Sequence, residues 1–215
     1  MKKYVVIAIA VVALVSSSLC AATNWTDASG ADHLWSTAGN WDSGVPTAAV
    51  DAAVALAGHP VQITTGINAE TSMLNIGGAG GQVDMTGGTL NGGANFLVAQ
   101  GATTATFNQS GGRATGGTVF IADYGGTGVM NLSGTALFIA TGNLLAGARG
   151  TGTGTLNMTN SAHVQSPYLA LAQDNTGNLN MSGNAITGVD LIQVGTGSST
   201  FGGSVTLTGG ALNSA

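Results

Sequence analysis

Leu179-Asn180-Met181-Ser182-Gly183 is a phrase that this chain keeps rewriting. It returns as Leu156-Asn157-Met158-Thr159, as Met130-Asn131-Leu132-Ser133-Gly134 and as Phe107-Asn108-Gln109-Ser110-Gly111. Val83-Asp84-Met85-Thr86-Gly87 and Val205-Thr206-Leu207-Thr208-Gly209 are looser copies. The copies start at 83, 107, 130, 156, 179 and 205, so the steps are 24, 23, 26, 23 and 26 residues. Self-similarity at such a period marks a repeat architecture in which each unit buries its apolar face against the next.

Two further short runs accompany each copy. The second run ends in a small residue, as in Leu74-Asn75-Ile76-Gly77, Phe96-Leu97-Val98-Ala99, Val119-Phe120-Ile121-Ala122, Asn143-Leu144-Leu145-Ala146, Leu169-Ala170-Leu171-Ala172 and Ile192-Gln193-Val194-Gly195. The third centres on Leu90, Ala114, Leu137, Val164, Ile186 and Leu212. Glycine pairs such as Gly87-Gly88 and Gly111-Gly112 punctuate the runs and supply corners. Three strands per 22–27 residues make one triangular coil, and coils stack at about 4.8 Å. The expected fold is all-β: a right-handed parallel β-helix of about six coils. Alternation turns Val83, Met85, Phe107, Met130, Leu132, Leu156, Met158, Leu179, Met181, Val205 and Leu207 inward.

Composition agrees. Glycine makes up 36 of 215 residues and charged residues only 6%, which disfavours helices and charge-rich disorder. The first residues read as an export signal: Lys2 and Lys3, an apolar run from Tyr4 to Val15, then small residues with a cut expected after Ala22. The run is too short to span a bilayer, so no transmembrane segment is expected after cleavage. The single cysteine, Cys20, lies inside this signal, which leaves no disulfide or cysteine–metal framework beyond it. From Thr23 on, two arginines face nine acids, net −7, which disfavours nucleic acid as a partner.

Residues 23–60 differ from the rest. They hold Trp25, Trp35 and Trp41, with Pro46 and Pro60. A solenoid needs an atypical terminal coil, so this segment reads as an N-terminal cap, the alternative being a sugar-stacking platform. The domain reading is signal peptide 1–22, cap 23–60 and repeats 61–215. The spaced tryptophans, Gly44-Val45-Pro46, Asp51 before an apolar strand and Gly87-Gly88-Thr89-Leu90-type repeats resemble secreted bacterial autotransporter-like repeat proteins, many of which carry a PEP-CTERM or similar sorting tail. The resemblance implies a parallel β-helix outside the cytoplasm. One departure is that the sequence ends at Ala211-Leu212-Asn213-Ser214-Ala215, inside a repeat, with no such tail; it reads either as a fragment or as an open final coil.

Outward positions supply the candidate sites. Asn108, Asn131, Asn157 and Asn180 form one polar row, beginning at Asp84 and continuing to Thr206. Ser110, Ser133, Thr159 and Ser182 form a second beside it. Such rows either bond to one another along the stack or present a flat face to a glycan or to ice. Leu97, Phe120 and Leu144, with Phe138 near them, read as an exposed apolar row and hence an interface. Asp123 and Asp174 occupy similar corners with Arg149 between them, a weak focus for carbohydrate chemistry or Ca²⁺, read more simply as a salt bridge. His33, His59 and His163 show no ligand spacing, and no metal or cofactor is expected. The expectation is an exported non-catalytic structural, surface or adhesion module, partnered by itself, by other surface proteins or by glycans. The alternatives are a polysaccharide-binding or polysaccharide-cleaving β-helix and an ice-binding face.

Overall fold

The computed structural model describes residues 21–30, 32–173, 176–195, 203–209 and 211–214. It is a parallel β-solenoid of about six turns, and the only helix among these residues is a single 3-10 turn at Ala38–Asn40. Every strand-to-strand ladder is parallel, which a stack of coils requires. Connections between parallel strands are right-handed almost without exception, the sense expected from the length of the coil.

The first face is a seven-stranded sheet: Val61–Ile63, Ala79–Met85, Thr104–Gln109, Thr127–Leu132, Thr153–Met158, Thr176–Met181 and Gly203–Leu207. The second face runs through Asn68–Glu70, Thr89–Asn91, Arg113–Gly116 and Leu137–Ala140. The third begins at Ala21–Asn24 and runs through Val50–Val54, Leu74–Ile76, Asn95–Gln100, Thr118–Asp123 and Asn143–Ala146. The strands His163–Leu171 and Ile186–Val194 continue around the corner and join the second and third faces into one sheet.

Two inward rows of the first face are set by register. One is Val61, Val83, Phe107, Met130, Leu156, Leu179, Val205; the other is Ile63, Met85, Gln109, Leu132, Met158, Met181, Leu207. All but the last member of each are buried, whereas Val205 and Leu207 stay 37% and 48% exposed because no described coil lies over them. Gln109 is a polar member of an apolar row. Its Nε2 donates to the carbonyls of Gly112 (3.0 Å) and Leu137 (3.1 Å), which lets an amide sit in the core. Phe96, Phe107 and Phe138, one from each face, meet edge to face with centroids 5.0–6.0 Å apart.

A third row, Gly81, Ala105, Gly128, Gly154, Gly177, Gly203, holds small residues for a steric reason. A Cβ on Gly154 would lie 2.2 Å from the Ile121 carbonyl oxygen and 2.3 Å from the Gly147 nitrogen. The first face crosses the backbone of the third there, and nothing larger fits.

The third face turns its corner through a left-handed residue in each coil: Ala99 (φ 63°), Ala122 (62°), Gly147 (71°), Ala172 (58°) and Gly195 (70°). This explains the small residue that ends the second run in four of the six repeats; in the runs ending at Gly77 and Ala146 the left-handed residue is the next one, Gly78 or Gly147. It also corrects two registers. Leu144 pairs with Val119 and is buried in the core, so Leu145 takes the outward place opposite Phe120. On the second face Phe138 and Thr187, rather than Leu137 and Ile186, continue the inward row of Leu90, Ala114 and Val164. Phe138 is therefore a core residue and no part of a surface row.

The three tryptophans are buried against the first coil. Trp41 stacks edge-on to both Trp25 (5.1 Å) and Trp35 (5.0 Å), and its indole N–H donates to the Trp35 carbonyl (2.8 Å). Rings at most 4% exposed cannot offer a face to a sugar. Their segment also reaches the edge of the first face: the Gln62 N–H donates to the His33 carbonyl and the Trp35 N–H to the Gln62 carbonyl. Residues 1–20, most of the expected signal peptide, lie outside the described residues; Ala21 and Ala22 are exposed, and Thr23 is the first buried side chain. No helix among the described residues is long and apolar enough to cross a membrane.

Candidate functional site

The outward row of the first face is a continuous chain of side-chain hydrogen bonds. Asn180 Nδ2 donates to Asn157 Oδ1, Asn157 to Asn131, and Asn131 to Asn108, each at 2.8 Å. Asn108 Nδ2 then donates to Asp84 Oδ1 at 2.7 Å. Gln82 Nε2 also donates to both Asp84 oxygens. Each asparagine gives one N–H, and Asn157, Asn131 and Asn108 each accept one, so the chain has a direction, and it ends on a carboxylate, which only accepts.

Beside this row the second polar row follows the strand ends. The backbone N–H groups of Ser110, Ser133, Thr159 and Ser182 bond to Met85, Gln109, Leu132 and Met158 of the preceding coil. Two shallow grooves lie along the rows. One, of about 290 Å³, is lined by Asp84, Asn108, Asn131, Ser110 and Ser133 among others. The other, of about 230 Å³, is lined by Asn157, Asn180, Thr159, Ser182, Thr206 and Thr208 among others. The residues expected to make a polar face are brought together as rows, and the asparagines spend much of their hydrogen-bonding capacity on one another.

The apolar row on the third face is Leu97, Phe120, Leu145, Ala170. Leu97, Leu145 and Ala170 are buried. Phe120 and Tyr168 pack against a small cluster of Leu145, Ala148 and Ala170 on the outside of the coil. The Arg149 guanidinium lies over both the Phe120 ring (5.1 Å) and the Tyr124 ring (4.1 Å). The row is thus largely covered by side chains of neighbouring coils.

Arg149 also closes the adjacent corner. Its Nε and Nη2 donate to the two oxygens of Asp123 at 2.8 and 2.6 Å, and its Nη1 donates to the Tyr124 hydroxyl at 2.7 Å. Asp123 is fully buried, and the bidentate pairing supplies hydrogen-bond donors to both of its oxygens. The bond to Asp123 raises the guanidinium pKa above its ordinary value. Asp174 lies outside the described residues.

Sequence reasoning left the histidines apart, and for His33 and His59 the structure corrects it. Asp27, His33 and His59 converge: His59 Nδ1 and His33 Nδ1 each lie 2.7 Å from Asp27 Oδ2. Only the loop path of residues 25–60 joins them, which no spacing rule reports. The one hint in the sequence was composition, since two of the three histidines and four of the nine acids fall within residues 25–60. His163 stays on the second face, beside Leu137 and Ile186.

Comparison of the chain with protein-family models, with curated proteins and with solved structures finds no match.

Proposed function

We propose that this chain is an exported, non-catalytic β-helical module of the cell surface or its surroundings, acting through its faces and through self-association. The observation that carries the reading is the exposure of Val205 and Leu207. They continue the two core rows of the first face, yet they lie open. The strand that bears them, Gly203–Leu207, is paired on one side only among the described residues. Val194 and Leu191 of the neighbouring strand are also exposed. An open coil of this kind offers both an apolar surface and an unpaired backbone edge. We take a second copy of the same chain as its occupant. At the opposite end the first-face edge is already bonded to residues 33–35, so the contact pairs like with like and closes as a dimer.

The non-catalytic part of the reading is supported by Asp123, whose carboxylate is engaged by Arg149 on both oxygens. The secreted part rests on the signal-like residues 1–22. Cross-linking tests the contact. From Thr23 on the chain has no cysteine, so Leu207→Cys should form an intermolecular disulfide under mild oxidation. Tyr124→Cys, equally exposed but remote from that coil, should not. Equal cross-linking at the two positions would contradict a specific contact.

The second reading is a polysaccharide lying along the polar rows, favoured by the two grooves on that face. Loss of binding to an immobilised glycan on Ser133→Arg, with the fold retained, would support it. A glycan array with no signal would remove it.

A further inference from the structure

The strongest unassigned constellation is Asp27, His33 and His59. The Asp27 side chain is only 2% exposed, whereas His33 and His59 are 36% and 50% exposed. A buried carboxylate needs a compensating partner, and neither arginine is near: Arg149 is engaged with Asp123, and Arg113 lies on the second face. Two imidazole nitrogens crowd one oxygen, Oδ2, while Oδ1 is buried with no hydrogen-bond partner. His59 Nδ1 makes a hydrogen bond to Oδ2. His33 Nδ1 stands at the same distance but is buried without hydrogen-bond geometry. Hydrogen bonding among the three therefore leaves one nitrogen and one oxygen unsatisfied at the same spot.

The backbone holds this arrangement. Asp27 and His33 both adopt φ 52°, the left-handed region that costs a side chain energy and that persists only where the surroundings enforce it. The Asp27 N–H donates to the Asn40 carbonyl, the Gln62 N–H to the His33 carbonyl, and the Trp25 indole to the His59 carbonyl. Each of the three residues is thus fastened to the first coil or to its tryptophan cluster.

We propose that Asp27, His33 and His59 form a Zn²⁺ site that staples the 25–60 segment to the solenoid. Two neutral imidazoles and a carboxylate are a donor set that Zn²⁺ prefers, with water as the fourth ligand. The candidate donor atoms already lie within 4.8 Å of one another. Bonds of about 2.0–2.1 Å in a tetrahedral site put donors roughly 3.3 Å apart, so the two imidazoles need only draw back from the 2.7 Å contact. Their exposure leaves them room to do so. The metal would replace the crowded contacts with three directed bonds and would give the His33 nitrogen the partner it now lacks.

The test is titration of the full chain, stripped with EDTA, with ZnCl₂ by calorimetry and with CoCl₂ by visible absorption. The expected result is one equivalent bound, the d–d bands of tetrahedral Co²⁺, and an unfolding temperature that rises with the logarithm of Zn²⁺ concentration. His59→Ala and His33→Ala should each weaken binding by at least about tenfold and remove the Co²⁺ bands. His163→Ala should leave both unchanged. Asp27→Asn is less informative because the group is buried. His59, half exposed, can be removed without disturbing the fold, and circular dichroism of the metal-free variant checks this. No saturable binding, or binding that survives both histidine substitutions, would overturn the proposal.

Discussion

The Asp123 carboxylate has no exposure to water, and the Arg149 guanidinium of the next coil lies fork to fork upon it, at 2.8 and 2.6 Å. This pair ties two successive turns at the corner after the third face. Removing one partner strands the other. Arg149→Met should destabilise the chain by about 3 kcal/mol, read from urea unfolding. Adding Asp123→Leu to the Arg149→Met variant should recover most of the loss, because the buried charge is then gone. A double variant no more stable than Arg149→Met would mean that packing, not charge, sets the cost.

The asparagine ladder has a direction, so equivalent substitutions at its two ends should differ. Asp84→Asn should be nearly neutral, because the amide still accepts from Asn108. Asn108→Asp should destabilise by about 1–2 kcal/mol, since it sets two carboxylates against each other on adjacent coils and removes a donor. Raising the salt concentration should reduce that cost. Equal effects at positions 84 and 108 would argue against a directed ladder.

Steric limits at the corners make a paired prediction. Gly154→Ala forces a Cβ into the Ile121 carbonyl and should cost about 1–3 kcal/mol or more. Ala122→Gly should be neutral or stabilising by up to about 1 kcal/mol, because Ala122 holds a left-handed φ of 62°. Thermal unfolding of both variants checks the pair. Destabilisation by Ala122→Gly would show that the methyl group's packing outweighs the backbone strain.

The acids of the 25–60 segment set an acid limit. Asn24 donates side-chain and backbone hydrogen bonds to Asp42, which hold its pKa at about 2, below the ordinary 3.8. Asp32 is lowered in the same direction, first by the Leu34 N–H and then by Thr37. A carboxylate whose folded pKa is depressed stabilises the fold above the unfolded value and loses that contribution as pH falls through the folded value. Asp42 is exposed and Asp32 half-buried, so the effect is small. Tryptophan fluorescence should begin to change as pH drops below about 4, and the change should be complete only below about 2. Asp42→Asn should narrow that transition. A profile identical to that of the unsubstituted chain would contradict the role of Asp42.

Much of the fold was legible because the repeat carries its own alignment. The phrase around Asn180 fixed one face, its inward methionines and leucines and its outward asparagines. Two registers slipped where both neighbours are apolar: Leu144-Leu145 and Leu137-Phe138 give alternation nothing to choose between. Aligning the coils on the left-handed residue, Ala122 with Gly147 rather than Ala146, would have set Leu145 opposite Phe120. Gln109 was passed over among the inward residues because an amide breaks the apolar pattern; bonds to corner carbonyls hold it in that row. The Asp27–His33–His59 cluster was not legible, because it is assembled by loops whose path depends on where the tryptophans pack.

If the open coil at Val205 and Leu207 is a contact surface, the solution mass of residues 23–215 should rise with concentration from monomer toward dimer and level off there, with Leu207→Glu held at monomer. A chain that remains monomeric at the highest concentration, or an assembly that Leu207→Glu leaves intact, would contradict it.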